Sequence, residues 1–311
     1  MSKGAKPPEI QELLRVSDRI SFLYLEHAVL ERADSALVAR DAAGTLHVPI
    51  AAIACLLLGP GTTVTHQAVT LLAESGTSTV WVGENAVRYY AHGRPIGRNS
   101  RLLEVQARLV SSSATRLEVA KRMYEMRFGG EDFAALSIQQ LRGKEGRRVR
   151  DIYRANAERT GVRWDGRRYD PTDFGSSDPV NMALSAATTA LYGLCQAVIV
   201  ALGCAPGLGF IHTGNDRSFV YDIADLYKAE LAIPAAFDVA KDEPPDAAGV
   251  TRRRMRDLFY ETRLLERVSK DVLSLLVPEE SSDDYEDVVV ALWGPDANSA
   301  AGKNYGDSPW S

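Results

Sequence analysis

Residues 182–202, MALSAATTALYGLCQAVIVAL, decide the fold, because they are apolar on nearly every side of a helix. A helix of this kind must be surrounded by other elements rather than by water. We therefore expect a helix over residues 178–202 that runs through the centre of an all-α domain. No stretch of the chain reaches the ~18–20 uninterrupted apolar residues that a membrane-spanning helix needs, so we expect no membrane segment.

Four further stretches share the helical hydrophobic period and complete this domain. In the stretch 136–159, Ser137 stands near the start and Gly161 follows the end, as expected for cap residues. The predicted helices cover residues 100–128, 136–159, 219–238 and 251–276.

Short apolar or alternating runs precede the helical region and predict strands. One helix interrupts them, with Thr65 as its N-cap and Gly76 just after its end. The predicted strands cover residues 20–30, 36–40, 45–50, 53–58, 79–82 and 86–90. We expect an α+β fold: a small N-terminal β-rich domain (1–95), a larger all-α catalytic domain (96–277) and a flexible acidic C-terminal tail (278–311).

Charge is distributed unevenly along a chain of formal net charge −5. Residues 278–311 contribute −7, so residues 1–277 carry +2. The segment from Arg142 to Arg168 contains nine arginines and one lysine but only four acids. A second basic cluster contains Arg252, Arg253, Arg254 and Arg256. Such clusters are typical of a polyanion-binding surface, although solvated helix faces have the same composition.

The cysteines and the N-terminus indicate the compartment. Cys55, Cys195 and Cys204 are odd in number, lie in apolar runs and lack CxxC spacing, which is typical of buried thiols rather than of disulfides or a zinc site. The first ten residues, MSKGAKPPEI, lack the apolar segment of a signal peptide. We expect a cytoplasmic protein.

The stretch that carries the chemistry is residues 207–228, GLGFIHTGNDRSFVYDIADLYK. His212 lies in a glycine-punctuated loop before a predicted helix, and Asp222 and Asp225 are three residues apart on one face of that helix. Carboxylates in this apolar context are costly unless they are paired or bind a metal. His212 and Asp225 are therefore candidate metal ligands that need a further oxygen donor.

Glu145, in QLRGKEGRRVRDIY at residues 140–153, is the best candidate for that donor. Two glycines flank it, as if the backbone must let something bulky approach. An imidazole with carboxylates and no thiolate favours Mg²⁺ or Mn²⁺, and the neighbouring arginines would neutralise phosphates. The alternatives are a helix-dipole role for the aspartates, a structural hydrogen bond for His212 and an exposed helix charge for Glu145.

Four segments together resemble the CRISPR-adaptation integrase, the large catalytic "Cas one" endonuclease subunit, in its type I-E-like branch. The similarity extends from Arg19 to about Leu276. The segments are GFIHTGNDRSFVYDIADLYK (209–228), QLRGKEGRRVRDIYR (140–154), GVRWDGRRYDPTD (161–173) and ALSAATTALYG (183–193).

This resemblance implies an antiviral-defence enzyme that inserts short foreign DNA fragments into a CRISPR repeat array by 3′-hydroxyl attack on a phosphodiester. It implies a divalent metal held by Glu145, His212 and Asp225, with Asp222 as an additional catalytic acid. Other positions match DNA-facing residues or belong to the basic clusters. This DNA-binding set is Arg88, Arg147, Arg148, Tyr169, Tyr192, Lys228, Arg252 and Arg256.

The chain departs from that branch at the aromatic residue that wedges apart the DNA ends, because His27 stands at the aligned position. A histidine can still stack on a base. Two basic positions of the β domain are replaced by Thr63 and Thr70, so the DNA contacts of that domain differ in part.

The tail combines an acidic stretch with the β-prone run VVVALW at residues 288–293. An extended run on a flexible tether is suited to strand addition on a partner's sheet, with Val288, Val290 and Leu292 as candidate contacts. The resemblance implies that the partner is the small "Cas two" subunit, in a larger complex that contains homodimers of the catalytic subunit. The alternatives are a disordered terminus and docking within the same chain.

Two other functions remain open on the sequence. The same site would serve a structure-selective, metal-dependent nuclease in DNA repair, which would need neither the partner nor a repeat substrate. A non-catalytic DNA-binding scaffold would bind DNA after loss of His212 and form no metal-dependent product.

Overall fold

The computed structural model describes residues 19–34, 36–48, 50, 53–93, 100–129, 133, 136–167, 178–277 and 287–292. Their contacts divide the chain into two compact units. The first contains the described residues up to Val82 together with residues 90–93 and 287–292. The second contains Gly83–Tyr89 and the described residues from Ser100 to Val277.

The first unit is built from two sheets and one helix. One sheet has the strand order β8-β7-β5-β1-β9, and the other has the order β4-β3-β2-β6. β1 pairs in parallel with β5, and β5 pairs in parallel with β7. The elements are β1 (Arg19–Leu25), β2 (Val29–Ala33), β3 (Ala36–Arg40), β4 (Thr45–Val48), β5 (Cys55–Leu58), β6 (Thr63–Val64), α1 (His66–Glu74), β7 (Ser78–Val82), β8 (Tyr89–Gly93) and β9 (Asp287–Leu292).

Local signals in the sequence set several of these elements. The Thr65 side chain accepts a hydrogen bond from the Ala68 backbone N–H at the start of α1, and Gly76 follows its end at φ +71°. Asp41 accepts hydrogen bonds from the N–H groups of Ala43 and Gly44, closing the turn between the antiparallel strands β3 and β4. The predicted N-cap of α1 is confirmed.

The second unit is helical and is organised around α5, which contacts α6, α7, α8 and α9. By length and composition α5 could cross a membrane. However, 78% of its most apolar 18-residue segment is buried within the structure, as in a core helix. The predicted central helix is therefore confirmed. The helices are α2 (Arg101–Ser111), α3 (Ser113–Phe128), α4 (Ile138–Thr160), α5 (Pro179–Ala201), α6 (Ser218–Tyr227), α7 (Ile233–Lys241), α8 (Ala247–Glu261) and α9 (Leu264–Leu276).

Three predicted helices are each broken into two. The 100–128 stretch breaks at Ser112, which is extended, and the 251–276 stretch breaks at Arg263, which is left-handed at φ +50°. The 219–238 stretch contains a π-helical turn over Lys228–Ala232. Pro234 explains this turn, because it has no N–H to donate to the carbonyl of Glu230 four residues earlier.

Two strand predictions were wrong in their bounds. The predicted strand 20–30 is interrupted around His27, which has φ +51°, and resumes at β2. Glu84–Ala86 form a 3₁₀ turn, so β8 starts only at Tyr89 rather than at residue 86.

The β-prone run of the tail forms a strand, β9, that pairs in parallel with β1 of the same chain. Val288, Val290 and Leu292 lie at the register positions opposite Ile20, Phe22 and Tyr24. In this structure the strand adds to the edge of its own sheet, which is the intramolecular alternative. Partner binding by these three residues stays a prediction, and the acidic stretch before them lies outside the described residues.

Candidate active site

Asp222 on α6 organises the loop that carries His212. Its carboxylate is buried and accepts hydrogen bonds from the backbone N–H groups of Phe210 (2.5 Å), Ile211 (3.0 Å) and His212 (2.9 Å). Gly209 makes this tight loop possible, since a Cβ there would lie 2.5 Å from the His212 carbonyl oxygen and 2.8 Å from Ser218. The loop is therefore built around one buried negative charge.

The same carboxylate orients the His212 ring. Asp222 Oδ1 lies 2.7 Å from His212 Nδ1, and because a carboxylate is an acceptor, Nδ1 carries the proton that it donates. In the neutral ring Nε2 then carries the lone pair, and the His212 side chain as a whole is half-buried. This carboxylate–imidazole arrangement is the one that orients metal-binding histidines.

The pKa of His212 is raised above its ordinary value of 6.5. The hydrogen bond to Asp222 is the main cause, and the charges of Asp222 and Asp225 act in the same direction. Burial and the charge of Lys228 oppose it. Deprotonation of Nε2, which a metal ligand requires, is thus shifted to higher pH.

Two arginines connect the His212 loop to the helices that carry other site residues. Arg142 on α4 donates to the Ile211 carbonyl oxygen at 2.5 Å, and Arg116 on α3 donates to the Phe210 carbonyl oxygen at 2.8 Å. Arg142 lies one helical turn before Glu145, on the same side of α4. The Arg142 contact ties α4, the helix that carries Glu145, to the His212 loop, although Glu145 and His212 are 67 positions apart in the sequence.

Glu145 is held by two residues of α3. Tyr124 Oη donates to Glu145 Oε2 at 2.8 Å, and Arg127 Nη1 contacts Glu145 Oε1. Burial, followed by the hydrogen bond and charge of Glu145, raises the pKa of Tyr124, so the phenol stays a donor. Arg127 Nη1 also lies 3.8 Å from Asp225 Oδ2, so Arg127 contacts both predicted carboxylate ligands.

Asp225 is paired with Lys228, which follows it by three residues. Lys228 Nζ lies 2.5 Å from Asp225 Oδ1 in a short ion pair. Nζ also donates to Tyr192 Oη at 2.8 Å and lies 4.8 Å from the centre of that ring. Burial disfavours the charged form of Lys228, yet the neighbouring Asp225 outweighs it and the pKa of Lys228 is raised.

The rings of Tyr221 and Tyr192 link His212 to Lys228. The Tyr221 ring lies 5.8 Å from the His212 ring in an edge-to-face arrangement and 4.9 Å from the Tyr192 ring. Tyr221 was not predicted, because a single aromatic residue in an apolar helix has no distinguishing pattern.

The predicted metal ligands thus occur in two groups. His212 is paired with Asp222, while Glu145 and Asp225 meet at Arg127. Within the described ranges, no three His, Cys, Asp or Glu side chains converge as a ready metal site. The donor chemistry still suits a hard divalent cation, because it comprises two carboxylates and an imidazole and no thiolate.

The predicted DNA-binding residues differ in how accessible their charges are. Arg88 and Arg147 are exposed, and the Arg148 guanidinium lies 4.7 Å from the centre of the Phe128 ring. Arg256 is already paired with Glu84 and Asp257, which favours a structural role for it. Tyr169 lies outside the described residues, and Arg252 is half-buried on α8.

Arg88 is held close to the central helix by a glycine. A Cβ at Gly193 on α5 would lie 2.8 Å from the Arg88 Cα and 2.9 Å from the Val87 carbonyl oxygen. Only glycine allows this approach of the Gly83–Tyr89 segment without a shift of the backbone.

The comparisons with known proteins agree with this fold. The family profile described as "CRISPR associated protein Cas1" matches residues 22–130 and 132–254. The CRISPR-associated endonuclease Cas1 of Clostridium sp. (strain SY8519) is 48% identical over 295 residues, which cover 94% of this chain and 97% of that protein. CRISPR-associated endonuclease Cas1 2 of Thermus thermophilus is 44% identical over 307 residues, which cover 96% of this chain and 94% of the relative.

A solved structure, the crystal structure of a TtCas1–DNA complex, matches with a TM-score of 0.79 at 46% identity and covers 84% of this chain and 98% of that one. The two units, the carboxylate–imidazole site and these similarities together define the class as CRISPR-associated proteins. The similar curated proteins of this class are named endonucleases. The chain belongs to the Cas1 family. The resemblance inferred from the sequence is thereby confirmed.

Proposed function

We propose that this chain is a metal-dependent DNA integrase that inserts short foreign DNA fragments into a CRISPR repeat array. The observation that carries the proposal is the arrangement around α6. Asp222 orients the imidazole of His212, and one turn later Asp225 meets Glu145 at a single guanidinium. Membership of the Cas1 family and the DNA bound to a similar solved protein support it.

The reaction is a phosphodiester exchange. The 3′-hydroxyl of the incoming fragment attacks a phosphorus at the repeat boundary; a P–O bond forms to the fragment, the target P–O3′ bond breaks, and the hydroxyl proton passes to the leaving 3′-oxygen through solvent. A bound Mg²⁺ or Mn²⁺ would lower the charge cost on the attacking and leaving oxygens. Water in place of the hydroxyl would give the endonuclease reaction.

Each site residue has a distinct part in this proposal. Glu145, Asp225 and His212 Nε2 hold the divalent ion, and Asp222 fixes the tautomer and orientation of His212. Exposed arginines such as Arg88 and Arg147 bind the DNA backbone, so binding depends strongly on salt.

The proposal extends to the assembly. The chain acts in the cytoplasm as a homodimer, within a larger complex that contains the small "Cas two" subunit, and the DNA it binds comprises the incoming fragment and the repeat. The type I-E-like branch resemblance supports this composition.

The test is strand transfer of a short duplex into a repeat-containing plasmid, with the partner subunit, in Mn²⁺ and in EDTA. The wild type and His66→Ala, an exposed histidine of α1 outside the site, are expected to join DNA in Mn²⁺ only. His212→Ala is expected to bind DNA and join none.

The other functions are outcomes of the same assay. Cutting of branched DNA that needs neither partner nor repeat would favour the repair nuclease. DNA binding by all three proteins with no joining or cutting in Mn²⁺ would favour the scaffold and contradict the proposal.

A further inference from the structure

Arg127 is a buried cation at the meeting point of the two predicted carboxylate ligands. Its side chain is only 7% exposed. Nη1 contacts Glu145 Oε1 and lies 3.8 Å from Asp225 Oδ2. The guanidinium is therefore placed where a divalent ion bound to both carboxylates would have to compete with it.

The charges around Arg127 are already balanced. Glu145 and Asp225 supply two negative charges, and Arg127 and Lys228 supply two positive charges. Tyr124 occupies the second oxygen of Glu145 with a hydrogen bond of 2.8 Å. Because charges interact strongly in a buried site, a divalent ion gains little attraction from this cluster while Arg127 stays in place.

Arg127 has a buried donor with no acceptor among the described residues. Its Nε makes no hydrogen bond to any of them, which is costly for a charged group. The guanidinium lies 4.9 Å from the centre of the Phe128 ring, and the guanidinium of Arg148 lies 4.7 Å from the same ring. Two arginines thus lie against one ring, and a phosphate bound there would supply the paired acceptors that suit a guanidinium.

We propose that Arg127 couples metal binding to DNA binding by exchanging the two carboxylates for a DNA phosphate. With Arg127 on Glu145 and Asp225, divalent ions bind weakly. A phosphate that takes the guanidinium leaves the carboxylates to the metal, so DNA strengthens metal binding, and by linkage the metal strengthens DNA binding equally. This inference rests on the proposed metal site and adds Arg127 to it as a positioning residue.

The experiment measures Mn²⁺ affinity by calorimetry and by the free-Mn²⁺ electron paramagnetic resonance signal, with and without a short duplex. Binding of Mn²⁺ to the duplex alone is subtracted. The proteins are the wild type, Arg127→Met, Arg127→Lys, His212→Ala and Arg154→Met. Arg154 is the matched control, because it is an exposed arginine of α4 that pairs only weakly with Asp151 at 3.5 Å.

Without DNA, Arg127→Met is expected to bind Mn²⁺ more tightly than the wild type, by about 5–150-fold, the usual range of coupling between sites. DNA should tighten Mn²⁺ binding to the wild type by a similar factor and to Arg127→Met much less. Arg127→Lys keeps the charge and should bind weakly without DNA, and Arg154→Met should behave as the wild type.

Thermal unfolding shows first that each variant is folded. A folded Arg127→Met with unchanged or weaker Mn²⁺ affinity overturns the inference. If Arg127→Met does not fold, the wild type decides, since Mn²⁺ affinity that DNA does not increase overturns it equally.

A wrong assignment of the metal site would give a different pattern of Mn²⁺ affinities. If His212→Ala binds Mn²⁺ as the wild type does, or if no protein binds Mn²⁺ with or without DNA, the proposed metal site is wrong and the inference is overturned with it. If Mn²⁺ binding is lost in His212→Ala but equal in the wild type and Arg127→Met, the site stands and only the role of Arg127 is wrong.

Discussion

Asp222 combines two roles in one side chain, because the carboxylate that closes the 210–212 loop is also the one that orients His212. Loop stability and imidazole orientation therefore cannot be changed independently at this position. A carboxamide of the same shape separates the effects of charge from those of size.

Asp222→Asn is expected to destabilise the fold by at least about 2 kcal/mol, since hydrogen bonds to a charged acceptor contribute about 1.5–3 kcal/mol each. The amide nitrogen would also face backbone N–H donors. Urea unfolding checks this, with Asp216→Asn in the same loop as an exposed control. Equal stabilities for the two variants would contradict the loop-closing role.

The raised pKa of His212 predicts a pH-dependent contribution to stability. Because the folded pKa lies above the ordinary value of 6.5, the protonated form stabilises the fold. That contribution is complete below about pH 6.5 and is lost as the pH rises through the folded pKa. Thermal unfolding in EDTA should show a difference between the wild type and His212→Asn that is largest in acid and shrinks with rising pH. A difference that grows with pH would be inconsistent with the Asp222 pairing.

At the scale of elements, the helical glycines of α4 and α5 have different surroundings. Among the described residues, nothing beyond the backbone of α4 itself lies within 4 Å of a Cβ built on Gly143 or Gly146, whereas Gly193 on α5 is in close contact with the backbone of Val87 and Arg88. The described part of the chain therefore does not need the space at the α4 glycines, and the interpretation that they leave room for a bulky partner stays a prediction.

Gly143→Ala should stabilise the protein by about 0.5–1 kcal/mol through its helix propensity. Gly193→Ala should destabilise it by about 1–3 kcal/mol, as overpacking does. Chemical denaturation of both variants checks the signs. If Gly143→Ala also weakens DNA binding, close approach of DNA explains the glycine, and unchanged binding would argue against it.

The boundaries that the sequence predicted correctly are those with a local cause. Ser137 forms a capping box with Gln140 at the start of α4, and Gly161 ends it in the left-handed conformation at φ +75°. The break at Arg263 carries no such signal, since a helical hydrophobic period continues across it. At Ser112 the three consecutive serines 111–113 were a local signal, and the prediction of one continuous helix overlooked them. Pro234 was a local signal for the π-helical turn before α7, and the prediction of one continuous helix overlooked it.

At the site, the sequence singled out His212, Asp222 and Asp225 but grouped the imidazole with Asp225 as a fellow metal ligand. The structure pairs His212 with Asp222 instead, because the loop that carries the imidazole closes on that carboxylate. Arg127 on α3 had no motif of its own, and its contacts depend on how α3 packs against α4 and α6.

At the scale of the whole molecule, the arginines of the two basic clusters differ in how available they are to bind phosphate. Arg147 is exposed, whereas Arg256 is held between Glu84 and Asp257. Pairing with two carboxylates already satisfies much of the charge of Arg256.

Arg147→Gln should reduce the slope of log K against log salt for duplex binding by about 0.9, the value for one phosphate contact. Arg256→Gln should reduce it less. Fluorescence anisotropy over a salt series measures both slopes. Equal losses in the two variants would mean that Arg256 leaves its carboxylates to bind DNA.

The association of the C-terminal strand with the first unit also belongs to this scale. β9 extends the sheet at β1 although about 260 residues separate them in the chain. The sequence indicated a strand suited to a sheet edge, but it offered no means to choose between the edge of this chain and that of a partner.

The central claim is that Glu145, His212 and Asp225 hold one divalent ion at the bound DNA. The most direct measurement is pulsed electron paramagnetic resonance of Mn²⁺ in the protein–DNA complex, which detects nitrogen coupled to the ion. We predict one imidazole nitrogen coupling that is present in the wild type and in His66→Ala and absent in His212→Ala. Bound Mn²⁺ with no nitrogen coupling, or with a coupling that survives His212→Ala, would contradict the account.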